Sequence, residues 1–219
     1  MRLLIGNMNY SSWSMRPWLL LRQLEIPFEE EKLSFNAPDF ETRVRAVSPV
    51  GKVPVLVDGD FVVWDSLAIA EYLAEKFPDR GIWPRDPRAR ARARSICAEM
   101  HAGFGALRDR LPMNCELLLK NVAFERAVER DIARVVASWT ECRERFGAEG
   151  PFLFGAFSAA DAYYAPVVRR FLGFSVSVPE VAANYIAAVD ALPAMRAWMA
   201  AALVERDYVA IDEPYRDRR

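Results

Sequence analysis

Apolar and polar positions change rhythm once along this chain, near residue 80. Before that point short apolar runs alternate with helical spacings. Leu3 to Met8 reads as a short strand, and Trp18 to Leu24 as a helix behind the polar stretch Ser11-Ser12-Trp13-Ser14-Met15-Arg16-Pro17. Pro17 marks the start of that helix, because a first turn does not use the N–H that proline lacks. Ser14 is the residue best placed to cap it. Phe28 to Leu33 predicts a second strand, and Asp39-Phe40 opens a short helix that Ser48-Pro49-Val50-Gly51 ends. Val53 to Val57, Asp58-Gly59-Asp60 and Phe61 to Trp64 predict a hairpin. Ser66 to Phe77 then carries Leu67, Ala70, Leu73, Ala74 and Phe77 on one helical face. The predicted order is βαβ-αββα, a small α/β domain over residues 1–80.

Pro78 to Gly81 and Pro84 to Pro87 punctuate a linker. Residues 81–219 read as an all-α helical bundle. Ile96, Met100, Phe104, Leu107 and Leu111 recur at steps of three and four as one run. Phe124 to Phe146 is a long helix packed on other helices, with Gly147 as its cap. Ser158-x-x-Asp161 resembles a capping box and opens a helix through Phe171. Helices near 180–191 and 193–203 precede a polar tail.

Composition narrows the function. At 219 residues with 53% apolar content the chain can bury a sizeable core, and its net charge of −1 offers no field for nucleic acid or an anionic membrane. The alternating arginines from Arg88 to Arg94 point all around a helix and read as a solvated face. Three scattered cysteines without Cys-x-x-Cys exclude a disulfide framework, a zinc site and a dithiol centre. The single His101 reads as a helix-face histidine. No run is long enough to span a membrane and no secretory pattern opens the chain, so a cytoplasmic location without metal is expected.

Pro54 stands where a strand would exclude proline. A cis Val53-Pro54 bond that turns the Val53 backbone toward a ligand accounts for it economically. Asp65-Ser66 then places a carboxylate and a hydroxyl at a helix N-terminus, whose free N–H groups favour an anion. Each feature alone is more simply an edge residue or a cap. Together they suggest a site for a peptide-like zwitterion.

Val53-Pro-Val-Leu before the hairpin, Asp65-Ser66 followed by Leu67 to Leu73, and Ser158-x-x-Asp161 resemble, in combination and over nearly the whole chain, a cytosolic glutathione transferase. Ser11 to Arg16 is similar to the active-site loop of the serine-type tau and zeta classes, with Trp13 where zeta members carry cysteine. The resemblance implies a thioredoxin-like first domain and glutathione as co-substrate. It implies that Val53 pairs its backbone with the cysteinyl unit while a cis Pro54 holds the edge open. Ser66 would take the γ-glutamyl carboxylate, Asp65 the γ-glutamyl ammonium, and Lys52 the glycyl end. Arg43 and Arg45 are candidates for a second basic contact. Ser11, or else Ser12, would donate to the thiol, and Trp13, Met100 and Phe104 are candidates to line a cleft for an apolar electrophile. A detoxifying homodimer is part of the same expectation.

Few groups are needed for the chemistry. A free thiol has a pKa of about 8.5, and lowering it two units requires about 2.7 kcal/mol in favour of the thiolate. A hydroxyl donating to anionic sulfur supplies about 1.5–3 kcal/mol, and a helix N-terminus about 0.3–1 kcal/mol. The serine donates and is not a nucleophile, since no base accompanies it. Conjugation, dehalogenation, peroxide reduction and isomerisation all remain open. A zeta-like isomerase and a non-catalytic binding module on the same fold are the alternatives.

Overall fold

Strand β1 (Arg2–Ile5) carries three consecutive fully buried residues, Leu3, Leu4 and Ile5, the signature of a strand covered on both faces. In the computed structural model, which describes residues 1–216, it lies inside a four-stranded sheet. It runs parallel to β2 (Glu29–Lys32) and antiparallel to β3 (Val55–Asp58), which pairs antiparallel with β4 (Phe61–Val63). Leu4 opposes Val55, which leaves Val53 beyond the end of the ladder. Helices α1 (Ser12–Gln23) and α3 (Ser66–Lys76) cover one face, where Leu3, Ile5 and Leu56 are buried. Helix α2 (Phe40–Arg45) covers the other, with Val44 against Leu4 and Val55. Gly59 takes φ +64° in the hairpin turn, the conformation for which Asp-Gly is suited. The α/β order is the expected one.

Two local expectations fail. Pro17 lies inside α1 rather than at its start, because the helix already begins at Ser12. The missing proline N–H leaves the Trp13 carbonyl without a ladder partner, and burial of Met15, Trp18 and Leu19 holds the helix together. Ser14 is therefore not the cap. Ser11 occupies the N-cap position, and Ser14 Oγ instead accepts the Gly6 N–H at 3.2 Å.

The second half is helical: α4 (Pro87–Ala102), α5 (Gly105–Arg110), α6 (Arg126–Phe146), α7 (Ala159–Gly173), α8 (Glu180–Asp190) and α9 (Pro193–Val204). The apolar run from Ile96 to Leu111 is two helices, not one. Phe104 adopts φ 58°, and a Cβ on the preceding Gly103 would sit 2.8 Å from the Glu99 carbonyl, so the chain turns there. Trp139 of α6 anchors the core against Tyr164, Phe171 and Tyr185, with ring centroids 4.9–5.6 Å apart. The capping box forms: Asp161 accepts the Ser158 and Leu153 N–H groups at 2.9 and 3.1 Å. Burial nonetheless raises its carboxyl to about 6. Helix α7, buried along almost its whole length, packs on α1 and joins the two halves. Met100 and Phe104 are core residues. Cys97, Cys115 and Cys142 are all buried, and burial pushes their thiols up, to about 12 for the last two. No single described helix is long and apolar enough to cross a membrane.

The tail after α9 is more than polar filling. It returns along the first half, and Glu205 and Glu213 are buried there. Its last three residues lie outside the described ones.

Candidate active site

Two cavities meet at Trp13. The first, about 330 Å³, lies between Lys52-Val53-Pro54, Asp65-Ser66 and His101. Its walls follow from local chain geometry. The Val53–Pro54 peptide bond is cis, as is Trp64–Asp65. Val53 stands outside the ladder, so among the described residues no strand neighbour takes up its N–H and C=O. Asp65 caps α3 by accepting the Leu67 N–H at 3.0 Å. Ser66, at the first turn, is almost fully buried, and its hydroxyl is 2.9 Å from the Tyr163 hydroxyl of α7. Every residue of the expected zwitterion site thus reaches one hollow. Arg43 and Arg45 do not; they pair with Glu31 and Glu41 at 3.2 and 2.7 Å.

The second cavity, about 480 Å³, opens between Ser11, Ser12, Arg108, Arg170 and Asp212, and shares Trp13, Lys52 and Val53 with the first. The two serines differ in surroundings. Ser11 is 6% exposed and its hydroxyl donates to Ser14 Oγ at 2.8 Å. Ser12 is half-buried, and its oxygen accepts from Arg170 Nη2 at 3.4 Å, which leaves its proton for a neighbour in the cavity.

Charge distinguishes this region. Arg170 is buried, with Nε donating to the Leu111 carbonyl at 2.7 Å, and desolvation, then Arg16 and Arg108, lower it to about 9. Arg16 is also buried, its guanidinium 4.0 Å from the Trp13 ring centroid and 4.5 Å from that of Tyr163. Its Nε and Nη1 have no hydrogen-bond partner among the described residues, and burial lowers its pKa too. Asp212, itself raised by burial, is the acid that offsets Arg170. With Asp109 also on the cavity wall, the buried Arg16 and Arg170 and the half-buried Arg108 still outnumber the two carboxylates, which favours an anion.

Several of these groups carry no signal in the sequence alone. His101 is not a bland helix-face residue: its Nε2 lies 3.3 Å from Asp65 Oδ2 and its ring stands edge-on to Trp13 at 5.0 Å. Arg170 and Asp212 lie about 160 and 200 positions beyond Ser12 in a chain of 219, where no local spacing could single them out. Tyr163 is similarly silent as one aromatic in a buried helix. Only its place two residues after the capping-box Asp161, on the face toward α1, hints at a role.

Chemically, the first hollow offers free strand backbone, an acid and a helix start to a peptide-like zwitterion. The second offers a hydroxyl and guanidinium groups to an anion. Two family models match: "Glutathione S-transferase, N-terminal domain" over residues 10–76 and "Glutathione S-transferase, C-terminal domain" over residues 125–201. Dichloromethane dehalogenase of Methylorubrum extorquens is 43% identical over 63 residues, 28% of this chain and 22% of that protein. The chain spans less than half of such curated relatives, with 22%, 41% and 44% of three of them aligned. A glutathione transferase homolog from Burkholderia GL BGR1, solved with bound glutathione, superposes with TM-score 0.70 at 21% identity, covering 93% of this chain and 98% of that one. A bacterial maleyl pyruvate isomerase, a zeta-class glutathione S-transferase, superposes with TM-score 0.66 at 25% identity, covering 95% and 100%. With both halves of the chain matched and the whole fold shared, this protein belongs to the glutathione S-transferase family.

Proposed function

We propose that the protein is a glutathione transferase that binds the tripeptide in the first cavity and presents its thiolate to an electrophile in the second. The single observation that carries this reading is the junction at Trp13, where the cavity of the Val53 edge and the Asp65-Ser66 helix start adjoins that of the serine loop, Trp13, Lys52 and Val53 lining both. In this reading Val53 pairs through its backbone with the cysteinyl unit, Asp65 meets the γ-glutamyl ammonium, Ser66 the adjoining carboxylate, and Lys52 the glycyl end. Ser12 rather than Ser11 donates to the sulfur. Its oxygen already accepts from Arg170, which polarises the hydroxyl, whereas the Ser11 proton is directed to Ser14. The Ser12 hydrogen bond and the adjacent positive charge both favour the thiolate.

The second substrate carries a carboxylate. Arg108 and Arg170 line the cavity with Arg16 close behind, against Asp109 and Asp212, and an anionic group there meets the positive charge left over, which an apolar molecule would not. That favours a glutathione-dependent isomerase or addition to a carboxylated alkene, the class to which the maleyl pyruvate isomerase neighbour belongs by name. A homodimer in the cytoplasm completes the reading on family grounds alone.

Calorimetry with glutathione, ultraviolet titration of the bound thiol, and turnover of a panel spanning aryl halides, dihalomethane and carboxylated alkenes test the proposal. Binding with a thiol pKa well below that of free glutathione, and fastest turnover of the carboxylated member, supports it. Tight binding with no turnover of any class would instead identify a binding module.

A further inference from the structure

The loop that leads into the serines, Asn7 to Ser11, is held by the far end of the chain. Its two central amides, on Met8 and Asn9, are buried and belong to no helix or strand. Both donate to one side chain: Met8 N–H to Glu205 Oε1 and Asn9 N–H to Glu205 Oε2, each at 3.0 Å. Glu205 is itself buried at the C-terminus of α9, and Oε1 also accepts from Lys32 Nζ at 2.8 Å. The grip extends on either side. Trp198 Nε1 donates to the Met8 carbonyl at 2.9 Å, and Asn7 Nδ2 donates to Asp207 Oδ2 at 2.9 Å. Asp207 also accepts from Ser34 and Asn36. Farther along, the same tail brings Asp212 into the second cavity beside Arg170.

From this geometry we propose that Glu205 is a positioning residue for thiol activation. Its carboxylate, fitted to two successive amides, fixes where the Ser11-Ser12 turn presents its hydroxyls. The inference rests on the serine–thiolate reading above. A carboxylate is the side chain suited to the task, since each oxygen accepts one N–H and the charge is offset by Lys32. A glutamine in its place keeps the volume but turns an NH₂ group toward one of the two donors, so that amide loses its acceptor and the loop shifts or frays. A displacement of the hydroxyl by a few tenths of an ångström weakens its bond to sulfur without removing any group that touches glutathione.

The experiment compares Glu205→Gln with wild type and with Val189→Ala, a core truncation in α8 that lines neither cavity. For each, the thiol pKa of bound glutathione is titrated by thiolate absorbance, kcat and KM are measured, and amide hydrogen exchange is followed over residues 7–12. Expected for Glu205→Gln is a thiol pKa raised by about one unit, kcat at a pH below that pKa lowered about tenfold, KM for glutathione changed less than about threefold, and faster exchange confined to the loop. Val189→Ala, matched in lost thermal stability, leaves thiol pKa and loop exchange unchanged. Glu205→Asp, which restores charge with a shorter reach, recovers part of the effect. If Glu205→Gln loses only thermal stability, as Val189→Ala does, Glu205 is structural and the inference falls. A wild type whose bound thiol titrates like the free tripeptide overturns the serine reading itself, a different result from an unchanged variant. Should Glu205→Gln fail to fold, Glu205→Asp takes its place: a raised thiol pKa with faster loop exchange upholds the positioning role, and a loss of thermal stability alone overturns it.

Discussion

The two cavities that meet at Trp13 are built from different materials. The first is walled chiefly by one stretch of chain, a strand entry at Val53 and a helix start at Asp65-Ser66, with Trp13 and His101 closing it. The second is walled by long side chains sent in from distant elements, Arg108 from α5, Arg170 from α7 and Asp212 from the tail. Backbone groups are placed by the fold and cannot be substituted away, whereas a guanidinium is removed by one codon. On the proposed function, recognition of the co-substrate is therefore the durable half of this site, and choice of the second substrate the changeable half.

Substitutions put that contrast to the test. Ser12→Ala, which deletes the hydroxyl at the seam between the cavities, is expected to lower kcat/KM about 100-fold, equivalent to about 2.7 kcal/mol, and to return the bound thiol toward its free pKa. Ser11→Ala should lower it less than about threefold, and the opposite ranking in steady-state kinetics would reassign the role. Next in size, Arg170→Met is expected to raise KM for carboxylated electrophiles about 30-fold, near 2 kcal/mol, while leaving neutral aryl halides within about threefold. Equal losses for both substrate types would mean that Arg170 supports the wall rather than selects an anion.

The same arginine gives a pH signature. Burial holds it down to about 9, so it is charged below that value and sheds its proton as pH rises through it. Affinity for anionic electrophiles should therefore be flat below a pH of about 9 and fall above it, while thiolate formation rises from the acidic side. A bell for carboxylated substrates and a simple rise for neutral ones is the expected pair of profiles.

In the first cavity effects are smaller. Asp65→Asn preserves the helix cap, since asparagine caps as well as aspartate, but removes the charge facing an ammonium. Calorimetry should show glutathione binding weakened about tenfold, or about 1.4 kcal/mol. Smallest of all, Val53→Ala leaves the backbone contacts in place and should change affinity less than about twofold. A large loss there would show that the side chain, not the strand edge, does the gripping.

The same division explains what could be read from the sequence. The hairpin, its proline and Asp65-Ser66 are contiguous, and their meaning is local: a residue that cannot pair, then a helix start. The capping box at Ser158 and the long amphipathic α6 are visible for the same reason. Pro17 misleads because a local rule about first turns is outweighed by burial of Met15 and Trp18. The break at Phe104 hides within an unbroken apolar spacing, since only the close approach of Gly103 to the Glu99 carbonyl requires the turn. Arg170, His101 and Glu205 acquire their importance from partners on other elements. An isolated arginine, histidine or glutamate in or beside a helix looks like any solvated residue until folding brings its partners to it.

Each of the three cysteines lies inside the core as a protonated thiol, disfavoured as an anion by its surroundings. A catalyst that hands a reactive sulfur to alkylating molecules is exposed to the poison it processes, turn after turn. On the proposed function, its shielded and unionised sulfurs leave the thiol of the bound tripeptide as the sulfur that an electrophile meets.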